Sequence, residues 1–195
     1  MRVCKKNGKG IYGMRVIAGT AGSLRLKTPA GIDTRPTTDR IKETLFNMLQ
    51  PYIPDAVFID LYSGSGGIGI EALSRGARHA YFVENNKNAI ACITENLRFT
   101  KFTDKATVLK QDVLSALHGI HEKEADVIFM DPPYDCGHEK KALCILKDAP
   151  FVTERTLIVV ETSLTCDFSY LGQLGFEMSK EKCYKTNKHI FCHKV

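Results

Sequence analysis

From Ala56 onward, short β-branched and aromatic runs alternate with stretches of helical spacing, and this alternation restricts the fold more than any other feature. The runs are Val57–Leu61, Tyr81–Val83, Ala106–Leu109, Val127–Met130 and Thr156–Val160. Between them lie Ile68–Arg75, Lys87–Phe99, Val113–Leu117 and Glu139–Lys147; Ile90, Ile93 and Leu97 mark one face of the second. Strands separated by helices imply βαβ crossovers and a parallel sheet. The end of the chain departs from that pattern. Gly175–Lys182 and His189–His193 flank Lys185-Thr186-Asn187 and read as an antiparallel hairpin. The expected fold is α/β and Rossmann-like: a mostly parallel seven-stranded sheet with an antiparallel C-terminal hairpin.

Ahead of this unit, Met14–Gly19 and Leu24–Lys27 read as short strands joined by a Thr-Ala-Gly-Ser turn. Thr37–Gln50 has helical spacing at Ile41, Leu45, Met48 and Leu49, with Thr37, Thr38 or Asp39 as cap and Pro51 as stop. The expected organisation is a flexible arm over 1–13, a hairpin-and-helix appendage over 14–55, and one α/β domain over 56–195. At this length roughly 70% of the extended-chain surface can be buried, enough for three layers. No apolar run approaches the ~20 residues that span a bilayer. The basic N-terminus has no apolar segment behind it, so it does not read as a secretory signal. Seven cysteines without a C-x-x-C pair fit reduced thiols, and the expected setting is cytoplasmic and the chain monomeric.

Charge is unevenly spread. Residues 1–50 hold ten Lys/Arg and three Asp/Glu, a net of +7, so the other 145 residues net −2 against a whole-chain value of +5. A polyanionic partner at the N-terminal segment fits that asymmetry, and so does a plain solvated surface.

The chemistry concentrates at strand ends. Asp131-Pro132-Pro133-Tyr134 follows Val127–Met130 directly, and Pro132 has no N–H with which to continue a ladder. Asp131 thus falls at the carboxyl end of a strand, where open α/β sheets place ligands. An acid, two rigid prolines and a ring can hold a flat molecule by its polar edge and its face. Amino-group methylation of a base is one reaction that needs this. The loop Asp60-Leu61-Tyr62-Ser63-Gly64-Ser65-Gly66-Gly67-Ile68-Gly69 joins the first strand of the domain to its first helix. Its G-x-G-x-x-G suits a dinucleotide equally well. Glu84 lies 20 residues beyond Gly64, where an acid can grip ribose hydroxyls. Asp60, Glu84, Asp112 and Asp131 each fall at or just past the end of successive strands, so four carboxylates are expected along one rim. A helix cap is the plainer reading for Asp112. Carboxylates repel a pyrophosphate and suit a cationic, hydroxyl-rich nucleoside such as S-adenosylmethionine.

These motifs resemble class I S-adenosylmethionine-dependent methyltransferases that act on exocyclic amino groups. Met14-Arg15-Val16-Ile17-Ala18-Gly19 and Arg35-Pro36-Thr37-Thr38-Asp39-Arg40-Ile41-Lys42-Glu43-Thr44-Leu45-Phe46-Asn47 are similar to the bacterial RsmD family. Those enzymes methylate N2 of a single guanine in 16S ribosomal RNA, and the resemblance runs from Met14 to near the C-terminus. It implies that Asp60, Ser63, Gly64 and Gly66 bind cofactor, the two glycines on the methionine and ribose side. Glu84 would take the ribose hydroxyls and Asp112 the adenine amino group. Asp131, Pro132 and Tyr134 would be catalytic, with Asp131 also against the cofactor. Arg35, Thr37, Arg40 and Tyr134 are the candidates for substrate contact. The product would be S-adenosylhomocysteine, with no metal needed, and the partner 16S rRNA or an assembling small ribosomal subunit. Family members commonly begin near Met14, which leaves residues 1–13 as an extension or a misplaced start. The family's Tyr-Gly near the C-terminus is replaced here by Tyr184-Lys185.

Three rival readings lose ground on particular residues. A DNA adenine- or cytosine-amino methyltransferase needs a target-recognition region for which 195 residues leave no room. A nicotinamide-dependent dehydrogenase leaves Asp-Pro-Pro-Tyr unexplained. A non-catalytic RNA-binding module on a methyltransferase fold has no use for Gly64, Glu84 and Asp131. A zinc site from Cys183, His189, Cys192 and His193 is disfavoured, because adjacent strand residues point to opposite faces.

Overall fold

A computed structural model describes residues 12–29, 39–134 and 136–195 of the chain. An N-terminal hairpin pairs β1 (Tyr12–Arg15) with β2 (Arg25–Lys27), Arg15 lying opposite Arg25. The first strand starts at Tyr12, not Met14, because Tyr12 already pairs with Lys27. Helix α1 covers Asp39–Leu49, and Pro51 follows in the turn that ends it. The expected caps Thr37 and Thr38 lie outside the described residues, as do Arg35 and the first eleven residues.

The alternating unit then unrolls as β3 (Val57–Leu61), α2 (Gly67–Ser74), β4 (His79–Val83), α3 (Lys87–Thr100), β5 (Ala106–Leu109), α4 (Val113–Leu117), β6 (Val127–Met130), α5 (His138–Leu146) and β7 (Leu157–Ser163). Strands β8 (Phe176–Cys183) and β9 (Asn187–Lys194) close it. The seven strands run in the order β5-β4-β3-β6-β7-β9-β8. The first five are mutually parallel, and β9 is antiparallel to both neighbours. The expected mixed sheet is the one observed. Strand order reverses between β3 and β6, where the chain builds outward in both directions. In open α/β sheets ligands sit beyond the carboxyl ends of the strands at such a switch point.

Alternation along the strands divides the core in two. Phe58, Phe82, Phe129, Val159 and Phe191 share one face with α1, α2, α3 and the N-terminal hairpin. Ile59, Met130, Ile158, Val160 and Ile190 share the other with α4 and α5. Val16, Leu26, Leu45, Phe46 and Leu49 belong to the first of these clusters, so the appendage packs into the same core as the sheet. Glu71 on α2 fastens it. Its carboxylate accepts from Ile17 N (2.7 Å), Ala18 N (3.0 Å) and Arg75 Nε (2.8 Å), and pairs with Lys42 Nζ at 3.3 Å. Lys42 also donates to the carbonyl of Arg15, and neither Lys42 nor Glu71 has any exposed surface.

Two boundaries differ from expectation. β4 begins at His79 instead of Tyr81, since pairing with β3 starts at Val57–His79. β7 continues through Glu161, Thr162 and Ser163, because β9 pairs with it as far as Ser163–Asn187. Polar residues there are held as strand by a partner, not by their own preference.

Candidate active site

The glycine loop between β3 and α2 is shaped by positive backbone angles at Tyr62 (φ 63°), Gly64 (55°) and Gly66 (81°). Gly64 faces space in which no described atom lies within 4 Å of an added Cβ, whereas a Cβ at Gly69 would meet Phe82 at 2.4 Å. One glycine thus leaves room for a ligand and the other lets α2 settle on β4. Ser63 ties the loop down: its N–H donates to Val83 O (3.0 Å) and its hydroxyl to Asp60 O (2.6 Å).

The four strand-end acids are not equivalent. Asp60 lies within β3, is 1% exposed and accepts from Gly69 N at 2.9 Å. Burial pushes its carboxyl up to about 7, the Gly69 bond opposing and Glu84 adding to the rise. Glu84 receives Gly64 N on one oxygen and Asn85 N and Asn86 N on the other, each at 2.9 Å. It clamps the loop that it was expected to complement, with its carboxylate at the loop's open side. Asp112 is exposed and caps α4 through Ser115 N (3.0 Å), and these hydrogen bonds hold its carboxyl below the usual range. It therefore caps a helix, as the plainer reading had it, and sits beyond β5 at the outer edge of the sheet. Asp131 follows β6 at the switch point. Burial first, then the charges of Glu161 and Asp60, raise its carboxyl well above the ordinary range.

Pro132 is buried behind Asp131, and Tyr134 is 39% exposed with its hydroxyl 3.3 Å from Glu161 Oε1. The structure thus joins Asp131 and Tyr134 to a residue absent from the expected set. Glu161 stands on β7 alongside Asp131, one step past the Met130–Val160 pair, and directly opposite His189 on β9. Its Oε1 also accepts from Asn187 Nδ2 (2.6 Å), and its Oε2 meets His189 Nε2 at 2.9 Å. The other ring nitrogen of His189 lies 3.2 Å from Tyr184 Oη. The sequence carried a signal for Glu161: an acid directly after the apolar run Ile158-Val159-Val160, the pattern that marks Asp60, Glu84 and Asp131. Asn187 and His189 had none, because only the antiparallel return of β9 brings them to this rim.

Of the expected substrate contacts, Arg40 is exposed on α1, Tyr134 borders Asp131, and Arg35 and Thr37 lie outside the described residues. Among the described residues no cluster of three metal-ligating side chains occurs. Nor is any described helix long and apolar enough to cross a membrane.

Comparison with known proteins gives a consistent set of relatives. A family model described as Conserved hypothetical protein 95 matches residues 14–192. The YlbH protein of Bacillus subtilis, named as a candidate rRNA methyltransferase, is 42% identical over 76% of this chain and 82% of its own. The ribosomal RNA small subunit methyltransferase D of Haemophilus influenzae is 37% identical over 76% of this chain and 78% of its own. Among solved structures, yhhF from Escherichia coli, titled as a candidate methyltransferase, superposes with a TM-score of 0.78 at 30% identity. That match covers 93% of this chain and 97% of the other.

Proposed function

The chain belongs to the Conserved hypothetical protein 95 family, which is the RsmD family, and on that premise we propose that it methylates N2 of a guanine in 16S ribosomal RNA. The observation that carries this reading is Asp131-Pro132-Pro133-Tyr134 at the end of β6, with the glycine loop and Glu84 on the strands beside it. S-adenosylmethionine is the methyl donor, its activated methyl carried on a sulfonium. The residues present suit it. Gly64 opens onto free space, Glu84 keeps one acceptor position on Oε2 for a ribose hydroxyl, and exposed Asp112 offers one for the adenine amino group.

The guanine amine is a poor nucleophile because its lone pair is delocalised into the ring. An N–H donated to the Asp131 carboxylate or the Pro132 carbonyl counters that delocalisation and aims the lone pair at the methyl group. Tyr134 stacks on the base, worth roughly 1–3 kcal/mol. The N2–methyl bond forms as the sulfur–methyl bond breaks, and the cationic amine then releases one proton. The base must be unstacked to reach the pocket, at a few kcal/mol unless it lies in a loop.

The test is incubation with labelled S-adenosylmethionine and either naked rRNA or small-subunit particles from a strain lacking the modification. Label in guanine N2 of 16S rRNA is expected. Label in DNA and in no RNA guanine would overturn the assignment.

A further inference from the structure

Glu161 has no role in the chemistry described so far, yet its position is costly to maintain. It is 5% exposed, and the residue alongside it beyond β6, Asp131, is another acid. A buried carboxylate among carboxylates is retained against electrostatic repulsion unless donors compensate for it. Asn187, His189 and Tyr134 supply them. With a proton on His189 Nε2, Tyr184 O–H donates to Nδ1 and Nε2–H donates to Glu161, so each group in the chain has a partner. His189 is fully buried, with its ring packed edge-on against Phe129, so the donors are held rigidly. The third donor, Tyr134, is the partly exposed ring that borders the reacting centre.

We propose that Glu161, braced by Asn187 and His189, is a positioning residue for methyl transfer that fixes the Tyr134 ring over the pocket and presents a fixed negative charge to Asp131. The proposal rests on the methyl-transfer reading above. The fixed charge makes the Asp131 carboxylate a stronger acceptor for the amine N–H and a better sink for the proton released after transfer. The groups facing Glu161 among the described residues are Asp131 and Tyr134 beyond β6, Asn187 and His189 on β9, and Tyr184 in the turn, while Asp60 on β3 acts on Asp131.

Glu161→Gln removes the charge at nearly constant shape. His189 can answer by moving its proton to Nδ1, so that Nε2 accepts from the new amide and Nδ1–H donates to Tyr184. Removing a negative neighbour makes Asp131 easier to ionise. The acidic limb of the kcat–pH profile should therefore move to lower pH by on the order of one unit, the scale of one unit charge on an adjacent strand. The plateau rate should fall about 10-fold or more as the acceptor weakens. Affinity for S-adenosylmethionine, measured by calorimetry, should stay at the wild-type value. Tyr134→Phe keeps the stacking ring but loses the tether, and should lower kcat/KM for the RNA without moving the acidic limb. An unmoved limb in a folded Glu161→Gln protein overturns the charge role, and an unchanged kcat/KM in Tyr134→Phe overturns the tether. If Glu161→Gln does not fold, Tyr134→Phe carries the test by itself, and an unchanged kcat/KM for the RNA overturns the proposal. Should the wild-type protein label no RNA, the underlying reading fails instead, and this result is distinct from either variant's.

Discussion

Glu71 and Glu161 are both buried carboxylates at the centre of several donors, yet they are balanced in opposite ways. Glu71 faces two cations, Lys42 and Arg75, and two backbone N–H groups of the N-terminal hairpin. Glu161 is held by Asn187, His189 and Tyr134 and stands beside another acid, Asp131. The first arrangement joins two parts of the core and leaves little charge uncompensated. The second places an acid beside Asp131, whose carboxyl is raised well above its ordinary range by burial first and then by the charges of Glu161 and Asp60. Buried charge that is neutralised serves architecture; buried charge left in excess at a cleft serves chemistry.

Four experiments test that contrast, the most damaging substitution first. Glu71→Ala should cost about 3–5 kcal/mol in denaturant unfolding, because it leaves Lys42 buried without its counter-charge. Pairing Glu71→Leu with Lys42→Met should recover only part, since the Ile17 and Ala18 N–H groups stay unpaired. Full recovery would mean that the cluster is ionic and nothing more. Asp131→Ala should behave differently: unfolding close to wild type, near-normal cofactor affinity by calorimetry, and at least ~100-fold loss in methyl-transfer rate. Loss of cofactor affinity alone would contradict its assigned role.

Asp60 offers a pH test of the uncompensated side. Its carboxyl is raised in the fold, so between its ordinary value near 4 and about 7 the folded chain holds a proton that the unfolded chain has released. The stabilisation is complete below pH ~4 and is lost as pH rises to about 7. Asp60→Asn keeps an acceptor for Gly69 and should flatten that decline, a difference on the order of 3 kcal/mol between the two pH values. Parallel stability–pH curves for the two proteins would show that Asp60 is not the cause. The exposed pair Arg155–Glu124 sets the baseline: Glu124→Gln should change stability by less than about 1 kcal/mol.

Much of this arrangement is legible along the chain because it depends on local pattern. β6 and α4 fall on the expected residues, as their apolar runs are bounded by Asp131-Pro132 and by Asp112. Asp131 and Glu84 follow from strand ends alone. Glu161 carried the same strand-end signal after Val160, but its donors carried none, because only the return of β9 brings Asn187 to it. His189 escaped for a related reason: in sequence it is one of several histidines near cysteines, and its meaning comes from a partner 28 residues away. Pairings across an antiparallel return leave no periodicity for a sequence reading to find.

The reversed direction of β9 also sets an order of assembly. The Glu71 cluster draws on residues 15–75 and can close once α2 has formed. The Glu161 cluster waits for a strand that begins at Asn187, and until then β7 is a bare edge ending in an unsatisfied acid. Without Asn187 and His189 the acid that meets Tyr134 loses its brace, whereas the N-terminal hairpin keeps every bond it makes to Glu71. The two ends of the chain thus secure different parts of the fold, one the packing of the hairpin and the other the rim at Asp131.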